Sequence, residues 1–266
     1  MKNTQIISVI NQKGGVGKTT TVINLATALA FRKKKILVID LDPQGNATTG
    51  LGLRNDDETK TIYDVLNGNS NFENTIKDTK IDNLKLVSSN VDLSGLEIET
   101  ASENRRAFLL KDKIEKFINS EKNIYSYIFI DCPPSLNLLT VMALVTAKSL
   151  IVPLQAEFFA LEGLSQLIKT IDRVKEKLNP ELNIRGVLLT MFDKRNKLSS
   201  EVDAEARKFF SNKVYKTVIP RNVRLSEAPS HGIPVIIYDK LCSGSKSYTS
   251  FTEEFLKQEL IMESAA

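Results

Sequence analysis

Two lysines, three glycines and two threonines fall within ten residues of this chain, Asn11-Gln12-Lys13-Gly14-Gly15-Val16-Gly17-Lys18-Thr19-Thr20. Glycines let backbone N–H groups converge on an anion, and a helix that starts there adds its partial positive charge. At this spacing Lys18 reaches the β- and γ-phosphates of a nucleoside triphosphate, and the Thr19 hydroxyl ligates Mg²⁺. Gly14, Gly15, Val16, Gly17 and Thr20 supply further donors to the phosphates. The common pattern has glycine where this chain has Gln12, and the chain instead carries a second lysine, Lys13, ahead of the glycine pair.

A phosphate cradle needs a strand before it and a helix after it. The apolar run Ile6 to Ile10 predicts the strand, and Thr20 to Phe31 predicts the helix. Three more acids end apolar runs or follow them closely. Asp40 and Asp42 close the stretch Lys35 to Asp40 and its Asp-Pro-Gln-Gly turn, and Asp131 closes Tyr125 to Asp131 before two prolines. Carboxylates at the C-terminal ends of parallel strands lie where open α/β sheets bind ligands. Asp131, ahead of Cys132-Pro133-Pro134, has the Walker B arrangement and would hold Mg²⁺ through water.

Short apolar runs, at Leu84 to Val87, Ser149 to Leu154, Arg185 to Thr190 and Val214 to Ile219 as well, predict a mostly parallel sheet covered on both faces. Helical spacing appears over Ser94 to Ile118, Glu162 to Leu178 and Ser247 to Met262, with a weak helix at Thr61 to Leu66. The polar stretch Gly50 to Lys85 reads as a surface insertion. The expectation is one doubly wound α/β domain over 1–266, with no helix-turn-helix unit ahead of the cradle.

Composition narrows the function classes. The chain has 266 residues, 42% of them hydrophobic, enough for a proper core. No apolar run is long enough for a membrane helix, and Met1 to Gln5 does not open a signal peptide. Cys132 and Cys242 have no metal-like spacing and read as reduced thiols of a cytoplasmic protein. Net charge is +4, yet between Arg185 and Arg224 ten Lys/Arg stand against four acids. That local excess is larger than the whole chain's charge, so the remainder is slightly acidic and a polyanion partner is expected for this stretch.

Taken together, KGGVGKTT, DLDPQGNAT, DCPPS, EFFALEGLSQL, GVLLTM and VIPRNVRLSEAPSHG resemble the ParA/Soj-type partitioning ATPases of the deviant Walker A class, over roughly residues 5 to 240. The resemblance implies a P-loop fold and an ATP-sandwich homodimer. It also implies non-sequence-specific binding of double-stranded nucleoid DNA and a ParB/Spo0J-type centromere-binding partner that stimulates hydrolysis. By the same correspondence Lys13 reaches the partner's nucleotide, Asp42 orients the attacking water, and Asp40 supports the Mg²⁺ through water. Pro220 and Asn222 resemble the loop around adenine. Arg195 and Arg224 match positions that bind DNA, with Lys194, Lys197, Arg221 and Lys246 as basic neighbours. Ile233 stands where the family often has lysine. A MinD-like membrane-positioning ATPase is the alternative, disfavoured by the acidic stretch Glu253 to Glu263 where a basic amphipathic helix is needed. A nitrogenase-iron-protein-like carrier would need paired cluster cysteines that the chain lacks.

Overall fold

The computed structural model describes residues 4 to 264 except 55, 57, 58, 121, 158 and 159. The chain runs through β1 (Gln5–Val9), α1 (Lys18–Phe31), β2 (Ile36–Asp40), α2 (Asn46–Gly50), α3 (Ile62–Leu66), β3 (Ile76–Asp78), β4 (Leu84–Val87), α4 (Leu96–Glu99) and α5 (Leu109–Ile118). It continues with β5 (Tyr127–Asp131), α6 (Leu138–Thr146), β6 (Ser149–Gln155), α7 (Ala160–Lys177), β7 (Asn183–Thr190), α8 (Lys197–Phe210), α9 (Val223–Glu227), α10 (Val235–Tyr238) and α11 (Ser243–Ser264). The strands form one sheet in the order β3-β4-β2-β5-β1-β6-β7. All neighbours are parallel except the edge pair β3–β4.

Side chains alternate across the sheet with the two-residue period of a strand. Ile6, Leu37, Ile39, Ile128, Ile130, Leu150 and Val152 face one core, shared with α3, α5, α6, α7 and α8. Ile7, Val9, Ile36, Val38, Phe129 and Ile151 face the other, shared with α1 and α11. Both faces are covered, so the central strands β1, β2, β5 and β6 are buried almost throughout, and the doubly wound architecture expected from the runs is present. Strand order departs in both directions from β1, and the loops after β1, β2 and β5 open into the crevice this creates.

Three expectations need correction. Val214 to Ile219 is not a strand and makes only isolated bridges, Val187 to Val214 and Phe192 to Pro220. The Glu254 carboxylate accepts from Lys216 N at 2.6 Å and Thr217 N at 2.9 Å, taking donors that a ladder would need. Ser94 to Ile118 is not one helix. It breaks after α4, where the Thr100 hydroxyl bonds back to the Leu96 carbonyl at 2.7 Å, and α5 starts nine residues later. The stretch from Gly50 to Lys85 is no mere surface insertion, since Ile62, Val65, Leu66 and Phe72 are buried in the first core. Its helix has five residues, too few for a 3.6-residue pattern to register. Helix α6 has buried residues on every side, so no amphipathic signal marks it.

Candidate nucleotide site and basic surface

The cradle is built by sequence-local means. Gly15 and Gly17 take φ of 75° and 90°, left-handed values that an L side chain resists. Gly17 caps α1 without any side-chain bond to the first-turn amides, so those donors are left for an anion. Asn11 anchors the entrance: its Nδ2 donates to the Pro153 carbonyl on β6 at 2.7 Å, and its Oδ1 accepts from Lys13 N at 3.0 Å. On the far side the Thr190 hydroxyl donates to the Val16 carbonyl at 2.8 Å.

Lys18 is 6% exposed, and its Nζ donates to the Lys13 carbonyl at 3.0 Å. Burial lowers its pKa, against the attraction of Asp131, Cys132 and Asp42. The Lys13 ammonium forms an ion pair with Glu157 of its own chain, just beyond β6. Sequence reasoning did not find Glu157, because nothing local distinguishes an acid in a loop.

Asp40 and Asp131 are register partners on adjacent strands and both are fully buried. Asp131 Oδ2 accepts from the Thr19 hydroxyl at 2.7 Å, while Oδ1 is buried with no partner among the described residues. Burial first, then the charge of Asp40, pushes the Asp131 carboxyl well up. Asp40 is pushed up to about 6 by burial, which outweighs the donors it receives. Those donors are Thr48 N at 2.8 Å, Thr48 Oγ1 at 2.7 Å and Asp42 N at 3.2 Å. Asp40 therefore holds the start of α2, and both its oxygens are engaged within the fold. Asp42 lines the cavity and accepts from Gln44 N at 3.0 Å.

An orphaned, buried carboxylate oxygen beside a hydroxyl fits a hard cation that keeps most of its waters. Among the described residues no cluster of three or more His, Cys, Asp or Glu could hold a metal unaided. Cys132 is buried and that burial pushes its thiol up, the setting of a packed side chain and not of a reactive thiolate.

The cavity over the cradle measures about 600 Å³. Gly14 to Thr20 and Asp42 line it together with Met191, Ile219, Pro220, Asn222, Pro229 and Tyr248. Pro220 and Asn222 line the same cavity as the cradle. The Asn222 side chain is committed elsewhere: Oδ1 accepts from Arg224 N at 3.0 Å and Nδ2 donates to Ser243 Oγ at 2.9 Å. Met191 has φ of 50° at the cavity wall, and the Tyr248 hydroxyl pairs with Thr21 at 3.1 Å. Neither residue carries a signal in the sequence, since long-range packing alone brings them here.

The basic residues divide into groups. Lys194, Arg195 and Arg221 border a second cleft of about 400 Å³. Arg195 forks onto Asp193 with bonds of 3.0 and 2.9 Å, and its side chain is 91% exposed. Those bonds hold the Asp193 carboxyl down at about 2. Arg224 pairs with Glu227 at 2.7 Å and Asp239 at 3.5 Å, and Lys246 lies on α11. Lys197 pairs with Glu201 along α8 at 3.6 Å. His231 ends a short 3-10 helix and stacks on Tyr238 with centroids 5.0 Å apart.

Comparison with known proteins agrees with this geometry. A family model described as an AAA domain matches residues 4–184. The chromosome partitioning protein ParA of Caulobacter vibrioides is 50% identical over 96% of this chain and 95% of its own. The chromosome-partitioning ATPase Soj of Treponema pallidum is 45% identical over 94% and 96%. Among solved structures, a cobyrinic acid a,c-diamide synthase from Mycobacterium smegmatis with bound ATP analog and magnesium superposes with a TM-score of 0.84 at 32% identity, covering 96% of this chain and 94% of that one. The septum site-determining protein MinD from Pyrococcus horikoshii, complexed with Mg-ADP, is more distant, with 27% identity, a TM-score of 0.77 and coverage of 95% and 96%. At such identity across nearly both full lengths, this chain belongs to the ParA/Soj family of chromosome-partitioning ATPases.

Proposed function

We propose that this protein is a Mg²⁺-dependent ATPase that partitions DNA by switching between nucleotide-bound and nucleotide-free states. The observation that carries the reading is the juxtaposition of Lys18, the free first-turn amides of α1 and the Thr19–Asp131 pair at a nucleotide-sized cavity. Phosphoryl transfer asks the protein for positioning and charge stabilisation more than covalent chemistry. Lys18 and the α1 amides bind the β- and γ-phosphates. Thr19 and Asp131 hold the metal, the latter through water, and Asp42 orients the attacking water. A bound Mg²⁺ supplies charge neutralisation at the β- and γ-oxygens.

Lys13 lies half exposed at the rim, held by Glu157. In the sandwich dimer it leaves that carboxylate and reaches the γ-phosphate of the second subunit, so the complete site exists only in the dimer. The dimer binds double-stranded DNA without sequence preference through Arg195 and Arg224, aided by Lys194, Lys197, Arg221 and Lys246. A ParB/Spo0J-type partner stimulates hydrolysis and so releases the dimer from DNA; while bound to DNA the protein is on the nucleoid, in the cytoplasm. Phosphate-only contacts make that binding steeply salt-dependent. Against the membrane-positioning alternative, the partitioning relatives are far nearer in sequence than MinD. Among the described residues, no helix is long and apolar enough to cross a membrane.

The decisive measurement is ATP turnover with neither, either or both of duplex DNA and the N-terminal segment of a ParB/Spo0J-type protein, alongside sedimentation. Slow basal turnover, stimulation with both present and self-association only with ATP are expected. No self-association with ATP, together with identical DNA retention with ATP, with ADP and without nucleotide, would sink the proposal.

A further inference from the structure

The nucleotide cavity and the basic cleft share a wall. Met191 and the strap Ile219 to Asn222 line the first together with the cradle. Pro220 and Arg221 of the same strap bound the second, opposite Lys194 and Arg195. Among the described residues, Arg221 is the one cation that borders both. The strap is hydrogen-bonded to the loop that carries the other two cations. Ile219 N donates to the Leu189 carbonyl at 2.8 Å, Phe192 N to Ile219 at 3.0 Å and Arg221 N to Phe192 at 3.4 Å. That loop leaves β7 at Thr190, which is tied to the cradle through Val16, and turns at Met191 in a left-handed conformation. A non-glycine residue holds such a conformation only where its surroundings impose it, and Met191 does so at the cavity wall.

We propose that Arg221 couples the two cavities: nucleotide in the first fixes the strap, and the fixed strap presents the Arg221 guanidinium, beside Lys194 and Arg195, to a backbone phosphate of DNA in the second. This rests on the DNA-binding reading above and adds to it a residue that sets nucleotide dependence. A phosphate contact that is made alike in both nucleotide states lowers DNA affinity by the same factor in each and leaves their ratio unchanged. A coupling residue instead changes the ratio between states, and by linkage DNA must tighten nucleotide binding by that same ratio.

The test uses the full chain as wild type, Arg221→Ala, Arg221→Lys and Arg195→Ala. Affinity for a random-sequence duplex is measured by fluorescence anisotropy at saturating non-hydrolysable ATP analogue and at saturating ADP, with sedimentation on the same samples. Wild type should bind DNA at least about tenfold tighter with the analogue, within the usual range of coupling between sites. Arg195→Ala should weaken both states and keep the ratio. Arg221→Ala should bring the ratio below about twofold while still dimerising, and Arg221→Lys should recover part of it. Equal weakening of both states by Arg221→Ala, no change in either, or loss of the nucleotide-dependent dimer would each overturn the coupling role alone. A wild-type protein that bound DNA in neither state would instead overturn the proposed function, and the coupling role with it.

Discussion

Replacing Lys18 with methionine should move two measurements in opposite directions. Methionine keeps an unbranched side chain one atom shorter and removes the charge. Lys18 is 6% exposed, and burial disfavours its ammonium more than the neighbouring carboxylates favour it. The substitution forfeits the bond to the Lys13 carbonyl, worth about 1.5–3 kcal/mol for a charged donor. It also removes a buried ion whose desolvation costs several kcal/mol. The nucleotide-free variant should therefore unfold at the wild-type temperature or a few degrees above it. With nucleotide the outcome reverses. ATP at a hundred times its Kd adds about 2.7 kcal/mol to wild type, or roughly 5–10 °C for a chain of this size. One charge pair at about 4 Å in a partly screened site is worth about 4 kcal/mol, so affinity falls by roughly 10²–10³ and the ATP-induced shift drops to about 1 °C or less. Calorimetry at pH 7.5, with and without Mg-ATP, reads both quantities. A nucleotide-free variant that melts more than about 5 °C below wild type would make Lys18 a structural residue and refute the reasoning. So would a variant that ATP still stabilises in full.

Asp40 has a folded-state pKa raised to about 6 by burial, so folding takes up a proton between the ordinary carboxylate range and that value. Its contribution to stability is complete below the unfolded pKa and is lost as pH rises through about 6. The stability of nucleotide-free wild type relative to Asp40→Asn should therefore shrink from pH 5 to pH 7 in denaturant titrations, and a flat difference would contradict the assignment. At the basic cleft, Asp193 occupies the Arg195 fork that a phosphate would use. Asp193→Asn should tighten DNA binding a few-fold, the scale of one exposed ion pair, and an unchanged or weakened affinity by anisotropy would show that Arg195 is not a DNA contact.

The phosphate cradle, the strand before it, the helix after it and the three strand-end carboxylates were legible in the sequence because each is local. Glycine's tolerance of positive φ, the short apolar run and the acid that ends it all act within a few residues. The doubly wound sheet was legible for a related reason, since strands buried on both faces leave unbroken apolar runs. The family followed from the conjunction of those motifs.

What tertiary structure alone decided involves partners far apart in the chain. Glu254 disqualifies Val214 to Ile219 as a strand from a helix some forty residues later, by capping the amides that a ladder would use. Glu157 meets Lys13, Tyr248 meets Thr21, and Thr190 meets Val16 across gaps that no periodicity records. Asp40 and Asp42 look alike as two acids ending a strand. Three donors turn the first toward α2, and the cavity receives the second. Residue type and spacing fix which chemistry is available, but which side chain faces it depends on backbone groups supplied from elsewhere in the fold, and only closing the sheet brings those together.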